Sequence, residues 1–186
     1  MELKAKVLLG LTLLDATIGA WLCVWWIKIY TTQLSTQTLA GHEMLRNALA
    51  IIVMYIVIRR WETPSHWAIG IMYAISCTSL LPLLISPAAF VLYQPIAAVG
   101  IGVILMTYGN ALKAQNIPQA QRARFDNLQG LIGQIGAIAG AGLAYFTLFA
   151  AVPHWIIWCC VYALFDVDTL VKVTLVKKGF FTYHRA

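Results

Sequence analysis

The chain has 186 residues, of which 61% are hydrophobic and only 11% are charged. Soluble domains carry about 25% charged residues and leave roughly 30% of their surface exposed, so these values exclude an ordinary soluble protein and indicate a lipid solvent. The formal charge of +6 would suggest a nucleic-acid partner in a soluble protein. Here the basic residues follow the ends of apolar segments, and no nucleic acid is expected.

Hydropathy predicts an all-α polytopic membrane protein, a single domain over residues 1–186 with six transmembrane helices. Apolar segments near 20 residues long cross a hydrocarbon core of about 30 Å at about 1.5 Å per residue. The longest connections, Tyr30–Glu43 and Lys113–Asn127, are predicted to be loops on opposite sides of the membrane. The predicted spans are Val7–Ile29, Met44–Ile58, Trp67–Ile85, Ala88–Tyr108, Leu128–Phe149 and Pro153–Val176.

The basic residues predict the orientation of these spans. Eleven of the thirteen fall on one side, and only Lys28 and Arg46 fall on the other. The positive-inside rule therefore predicts a multi-pass protein of the inner (plasma) membrane with both termini in the cytoplasm. The eleven are Lys4, Lys6, Arg59, Arg60, Lys113, Arg122, Arg124, Lys172, Lys177, Lys178 and Arg185.

Asp15 is the ionisable residue of the first predicted span. It follows Val7 by eight residues, which places it roughly 12 Å deep at about 1.5 Å per residue. A carboxylate at such a depth costs about 2.5–3.5 kcal/mol, so it should face the bundle or a wet cavity. Two interpretations stay open: an acid that carries a proton or contacts a substrate, and a carboxyl group that only fixes helix packing.

The fifth span combines small residues with two amides. Gly133, Gly136, Gly140 and Ala144 recur every three or four residues, so they form one stripe on a helix. Small residues at this spacing let two helix backbones approach closely in a bilayer, and the stripe predicts a helix-packing face. Gln129 and Gln134 are predicted either to hydrogen-bond across helices or to line a translocation path.

The sixth span carries two carboxylates that cannot share a face. Asp166 and Asp168 are two residues apart, about 200° around a helix. Asp168 and Lys172 have the i, i+4 spacing with the acid first, which favours an ion pair at the membrane boundary. Asp166 is therefore the better candidate for a substrate or proton site.

The sequence lacks the common signatures of an enzyme. It contains no nucleophile elbow, no phosphate-binding glycine loop and no aspartate-rich phosphoalcohol-transferase pattern. The cysteines form no CxxC pair and have no histidine at ligand spacing. We therefore expect no enzymatic activity, no cofactor and no metal.

Two stretches resemble the major facilitator superfamily of transporters. Leu-Leu-Asp-Ala-Thr-Ile-Gly-Ala, residues 13–20, is similar to the acid-containing first helix of its drug–proton antiporters. Arg122–Leu143 resembles the loop and glycine-rich fifth helix of a facilitator half, and six spans with both termini inside is the topology of such a half. The Arg-Arg-Trp-Glu-Thr-Pro loop at residues 59–64 departs from the family signature, as do Ala137 and Ala139, where the family has a proline.

The resemblance implies binding or transport of a small solute, proton-coupled at Asp15. Because a complete facilitator needs two halves, it also implies a homodimer. Ala16 and Ala20 resemble, in their spacing, the substrate-binding subunits of vitamin importers. The alternative function is a non-transporting interaction protein, such as an immunity or exclusion protein of a plasmid, phage or toxin system. The expected partners are the lipid bilayer and a second copy or another membrane protein.

Overall fold

The computed structural model describes residues 2–33, 35–60, 64–78, 87–148 and 167–184. Within these ranges every regular element is an α-helix, so the all-α class is confirmed for this part of the chain. Asp166 and most of the sixth predicted span lie outside the described residues. The helices are α1 Leu3–Gln33, α2 Thr36–Arg60, α3 His66–Thr78, α4 Pro87–Asn116, α5 Gln119–Leu148 and α6 Val167–Lys177.

Serine side chains begin two of the helices. The amide of Thr38 donates a hydrogen bond to the Ser35 hydroxyl at 3.2 Å, and the amide of Ala68 donates to the Ser65 hydroxyl at 3.2 Å. The first amides of a helix have no partner within the helix, so a serine oxygen at this position stabilises the first turn by about 1 kcal/mol. The sequence therefore fixes where α2 and α3 begin.

Three helices in the described part of the chain are long and apolar enough to cross a membrane. The segments are Leu3–Val24, Thr36–Ile56 and Gln119–Thr147, with mean hydropathies of 2.0, 1.2 and 1.3. They fall on the first, second and fifth predicted spans. The count of six spans stays a prediction.

Both predicted loops are wrong. Helix α1 continues to Gln33 and α2 begins at Thr36, so the predicted loop Tyr30–Glu43 is almost entirely helical. Helix α4 continues to Asn116 and α5 begins at Gln119, so the predicted loop Lys113–Asn127 is almost entirely helical too. Hydropathy reports which residues lie in lipid, whereas Gln, Arg, Lys and Ala are good helix formers in water. The helices therefore extend beyond the apolar segments.

One compact unit comprises Met1–Lys28 and Leu112–Tyr183. It combines most of α1 with α5, α6 and the end of α4. Apolar side chains from all of these segments are buried in it, among them Leu8, Leu22, Leu112, Phe125, Ala144 and Phe181. The Trp21 indole donates a hydrogen bond to the Thr147 hydroxyl at 3.0 Å, which ties α1 to the last turn of α5.

Asn116, the last residue of α4, joins other segments of this unit. Its amide nitrogen donates to the Thr182 carbonyl at 2.8 Å, and its Oδ1 accepts a hydrogen bond from the Thr182 amide, also at 2.8 Å. The Lys4 ammonium donates to the same Oδ1 at 3.2 Å. The start of α1, the end of α4 and the segment after α6 therefore meet at one end of the unit.

Gly179 directs the chain toward Asn116. It has a φ of +73°, a left-handed conformation that glycine adopts without strain. The amide of Gly179 donates to the Val176 carbonyl and that of Phe180 donates to the Leu175 carbonyl, both at 2.9 Å, which is the Schellman ending of a helix. The turn buries Phe181, which leaves 2% of its surface exposed.

The second compact unit comprises Ile29–Ala111 with His184–Ala186. Its buried residues include Ile69, Val99 and Tyr108, and the rings of His66 and Tyr108 meet edge to face at 6.4 Å. Helix α2 buries only 6% of its apolar segment within the chain. It therefore presents a broad apolar surface that includes Met44, Ile51, Ile52, Met54, Tyr55 and Ile56.

Candidate functional site

Helices α1 and α5 pack through small residues on both sides. A methyl group on Gly136 would lie 2.8 Å from the Ala16 Cβ, and one on Gly140 would lie 2.9 Å from the Ala20 Cβ and overlap the Thr17 carbonyl oxygen. A backbone carbonyl cannot move aside by changing rotamer. The contact therefore needs glycine at both α5 positions.

The other members of the predicted stripe differ from one another. Ala144 is fully buried, with 0% of its surface exposed. A methyl group on Gly133 would meet no atom within 4 Å. Close approach to α1 thus involves Gly136 and Gly140, and the start of the stripe lies outside the contact.

The order of the contacts along α5 shows that α1 and α5 run parallel. The Gln129 amide donates to the Thr12 hydroxyl at 3.4 Å, Gly136 lies beside Ala16, and Gly140 lies beside Ala20. From one contact to the next, the residue number increases along both helices. Two membrane helices that run parallel require an odd number of crossings between them.

Asp15 lies one helical turn after Thr12 on the same face of α1. Its side chain is exposed at the surface, although neighbouring protein partly shields it from solvent. Within the described residues it forms no hydrogen bond or ion pair. Among the described residues, Asp168 and Lys172 of α6 are charged groups close enough to Asp15 to act on it electrostatically.

Asp168 and Lys172 form the ion pair that their spacing predicts. The Lys172 ammonium donates to Asp168 Oδ2, and the Thr169 hydroxyl lies 3.4 Å from Oδ1. The Asp168 side chain is only 4% exposed and that of Lys172 17%. Since the pair neutralises itself, Asp15 has no counter-charge of its own among the described residues.

The remaining sequence candidates are distributed differently. Gln129 contacts Thr12 and so lies near Asp15, whereas Gln134 is exposed and has no side-chain hydrogen bond in the described part of the chain. Asp166 lies outside the described residues. The structure places Asp168 near Asp15. The i, i+4 spacing of Asp168 and Lys172 predicts that they form an ion pair. The spacing alone does not show that this pair faces α1.

No protein-family model, curated protein or solved structure matches this chain. The described residues contain no group of three or more His, Cys, Asp or Glu side chains placed to hold a metal ion. The cluster of Asp15, Asp168 and Lys172 is therefore interpreted from its own chemistry, as an acidic site within apolar helices.

Proposed function

We propose that this chain is a six-span inner-membrane protein, with both termini in the cytoplasm, that binds and moves a small solute with proton coupling at Asp15. The observation that carries the proposal is a carboxyl group on an apolar helix, Asp15, which has no hydrogen bond or ion pair among the described residues and lies near an ion pair on another helix. The proposal follows the half-facilitator resemblance and includes a homodimer.

The directions of the helices support this topology. The parallel packing of α1 and α5 requires an odd number of crossings between them, which α2 alone or α2, α3 and α4 together can supply. Thr182, after α6, shares Asn116 with Lys4, before the apolar part of α1. The two ends of the described chain therefore lie at the same end of their unit, as both-inside topology demands.

The chemistry of Asp15 supports proton coupling. A lone carboxylate in a membrane helix is costly, by about 2.5–3.5 kcal/mol, and either a proton or a bound cation removes that cost. A proton and a cationic solute then compete for the same oxygens. Release of the proton as the solute binds would couple the movement of one to the movement of the other.

The test replaces Asp15 by asparagine, which keeps the size and removes ionisation. Proteoliposomes with a trapped pH-sensitive dye and an imposed proton gradient are challenged with ethidium as a cationic probe. When ethidium is added, we expect the wild-type protein to dissipate the proton gradient and Asp15→Asn to leave it intact. Circular dichroism should show that the variant folds normally. The matched control is Asp126→Asn, which removes an exposed carboxylate that pairs with Lys113 outside the cluster.

A second measurement does not depend on the solute. Infrared difference spectra between acidic and alkaline pH should contain a protonated carboxyl band that disappears in Asp15→Asn. A folded variant with an unchanged spectrum and full activity would end the proton-coupling hypothesis. That result would favour the non-transporting interaction protein, for which Asp15 needs only to pack.

A further inference from the structure

A small cavity lies between the start of α1 and the start of α5, away from Asp15. It has a volume of about 150 Å³ and is lined by Ala5, Ile117, Gln121, Arg124 and Phe125. The first, second and last of these are buried and form apolar walls. Gln121, Arg124 and Phe125 have i, i+3 and i+4 spacing, so one face of α5 forms most of the site.

Arg124 is the charged group of this cavity, and it has no hydrogen bond or ion pair within the described residues. The neighbouring basic residues are already engaged. Lys113 pairs with Asp126 at 3.0 Å, and Arg122 donates to two backbone carbonyls at 2.6 and 3.2 Å. Arg124 is therefore available to a ligand, whereas Lys113 and Arg122 hold the turn between α4 and α5.

The size and charge of the cavity indicate what it can hold. A cavity of about 150 Å³ accepts a benzene-sized group, and pockets for drug-sized ligands begin at about 300 Å³, so one small group fits. None of the five described residues that line the cavity is acidic. A guanidinium presents a planar fork of donors that matches phosphate oxygens, and the start of a helix favours negative charge.

We propose that this cavity binds the phosphodiester group of an anionic phospholipid in the cytoplasmic leaflet. The cavity lies at the end of the unit where the positive-inside rule predicts the cytoplasmic surface, and anionic headgroups concentrate there. The apolar walls from Ala5 and Phe125 would contact the glycerol and the first acyl carbons. This site does not depend on transport, but it rests on the proposed membrane placement and orientation of α1 and α5.

Calorimetric titration of the purified full chain in dodecyl maltoside tests the site, with dioctanoyl phosphatidylglycerol as the probe. Arg124→Gln should weaken binding at least tenfold, because the charge-assisted bonds to phosphate are lost. Ala5→Leu should weaken it similarly by filling the cavity while all charges stay. Lys178→Gln, which removes an exposed lysine that does not line the cavity, should bind like the wild type.

The outcomes separate the sources of the phosphate. Inorganic phosphate should neither bind in the same concentration range nor displace the lipid. Equal binding of inorganic phosphate, lost in the same variants, would overturn the lipid assignment. Unchanged lipid binding in folded Arg124→Gln would overturn the site itself, even if Ala5→Leu failed to fold. Arg124 is exposed and has no hydrogen bond or ion pair among the described residues, so its replacement should leave the fold intact.

Discussion

The carbonyl oxygen of Thr17 lies directly against Gly140, at a place where α5 has no room for even a methyl group. A second contact of the same kind joins Ala16 to Gly136 one turn earlier. Small residues four apart on both helices thus pack against each other along a parallel pair, and dispersion attraction between the closely approaching backbones stabilises the contact.

Gly140→Ala should destabilise the protein, whereas Gly133→Ala should not. Overpacking against a backbone costs about 1–3 kcal/mol, which exceeds the gain of about 1 kcal/mol that alanine brings to a helix interior. At Gly133 a methyl group meets nothing within 4 Å, so only the gain remains. Thermal unfolding in detergent measures the stability of both variants. Equal melting temperatures for the two would show that the α1–α5 contact is not closely packed.

Lys172→Gln should destabilise the protein by about 3 kcal/mol, because it leaves the buried Asp168 carboxylate without a partner. The double variant Asp168→Asn, Lys172→Gln should recover much of that loss, since neither charge remains to be compensated. A double-mutant cycle on unfolding free energies measures the coupling. Additive effects would show that the pair contributes no interaction energy.

Asn116→Ala should release the segment after α6. The variant loses the side-chain hydrogen bonds to Thr182 and Lys4 and leaves the partly buried Thr182 amide without its acceptor, at a cost of about 1 kcal/mol or more. Hydrogen exchange at the Thr182 amide should become faster. Asn127→Ala is the control, because Asn127 is exposed and its side chain has no hydrogen bond in the described residues. An unchanged rate of hydrogen exchange at the Thr182 amide in Asn116→Ala would show that Asn116 does not hold this segment in place.

Gln37→Cys and Gln119→Cys should be labelled from opposite sides of the membrane. Both glutamines are exposed in the first turn of a helix, which makes them a matched pair. In a background without the native cysteines, an impermeant maleimide added to intact cells should label Gln37→Cys, and Gln119→Cys only after permeabilisation. Labelling of both positions in intact cells would rule out the proposed topology.

The helical class and the ion pair of α6 could be predicted from the sequence because both rest on local spacing. Periodic hydropathy identifies helices, and the i, i+4 order of Asp168 and Lys172 places two charges side by side. The ends of the helices could not be predicted from hydropathy. The polar residues around Gln119 form a helix as readily in water as apolar ones do in lipid.

The partners of single residues could not be predicted either. Asn116 forms hydrogen bonds with Thr182, 66 positions later, and with Lys4, 112 positions earlier. No sequence pattern around Asn116 predicts either contact. The stripe on α5 predicts close packing, but not that Gly140 meets Thr17 while Gly133 meets nothing. Such pairings depend on the whole arrangement of helices.

The division of one compact unit between Met1–Lys28 and Leu112–Tyr183 has a consequence for biosynthesis. The 120 residues that separate Ala20 from Gly140 take roughly 6–24 s to translate at about 5–20 residues per second. Throughout that interval the small-residue face of α1 has been made, but the α5 surface that packs on it has not. The ribosome therefore completes α2, α3 and α4 before α1 can pack against α5.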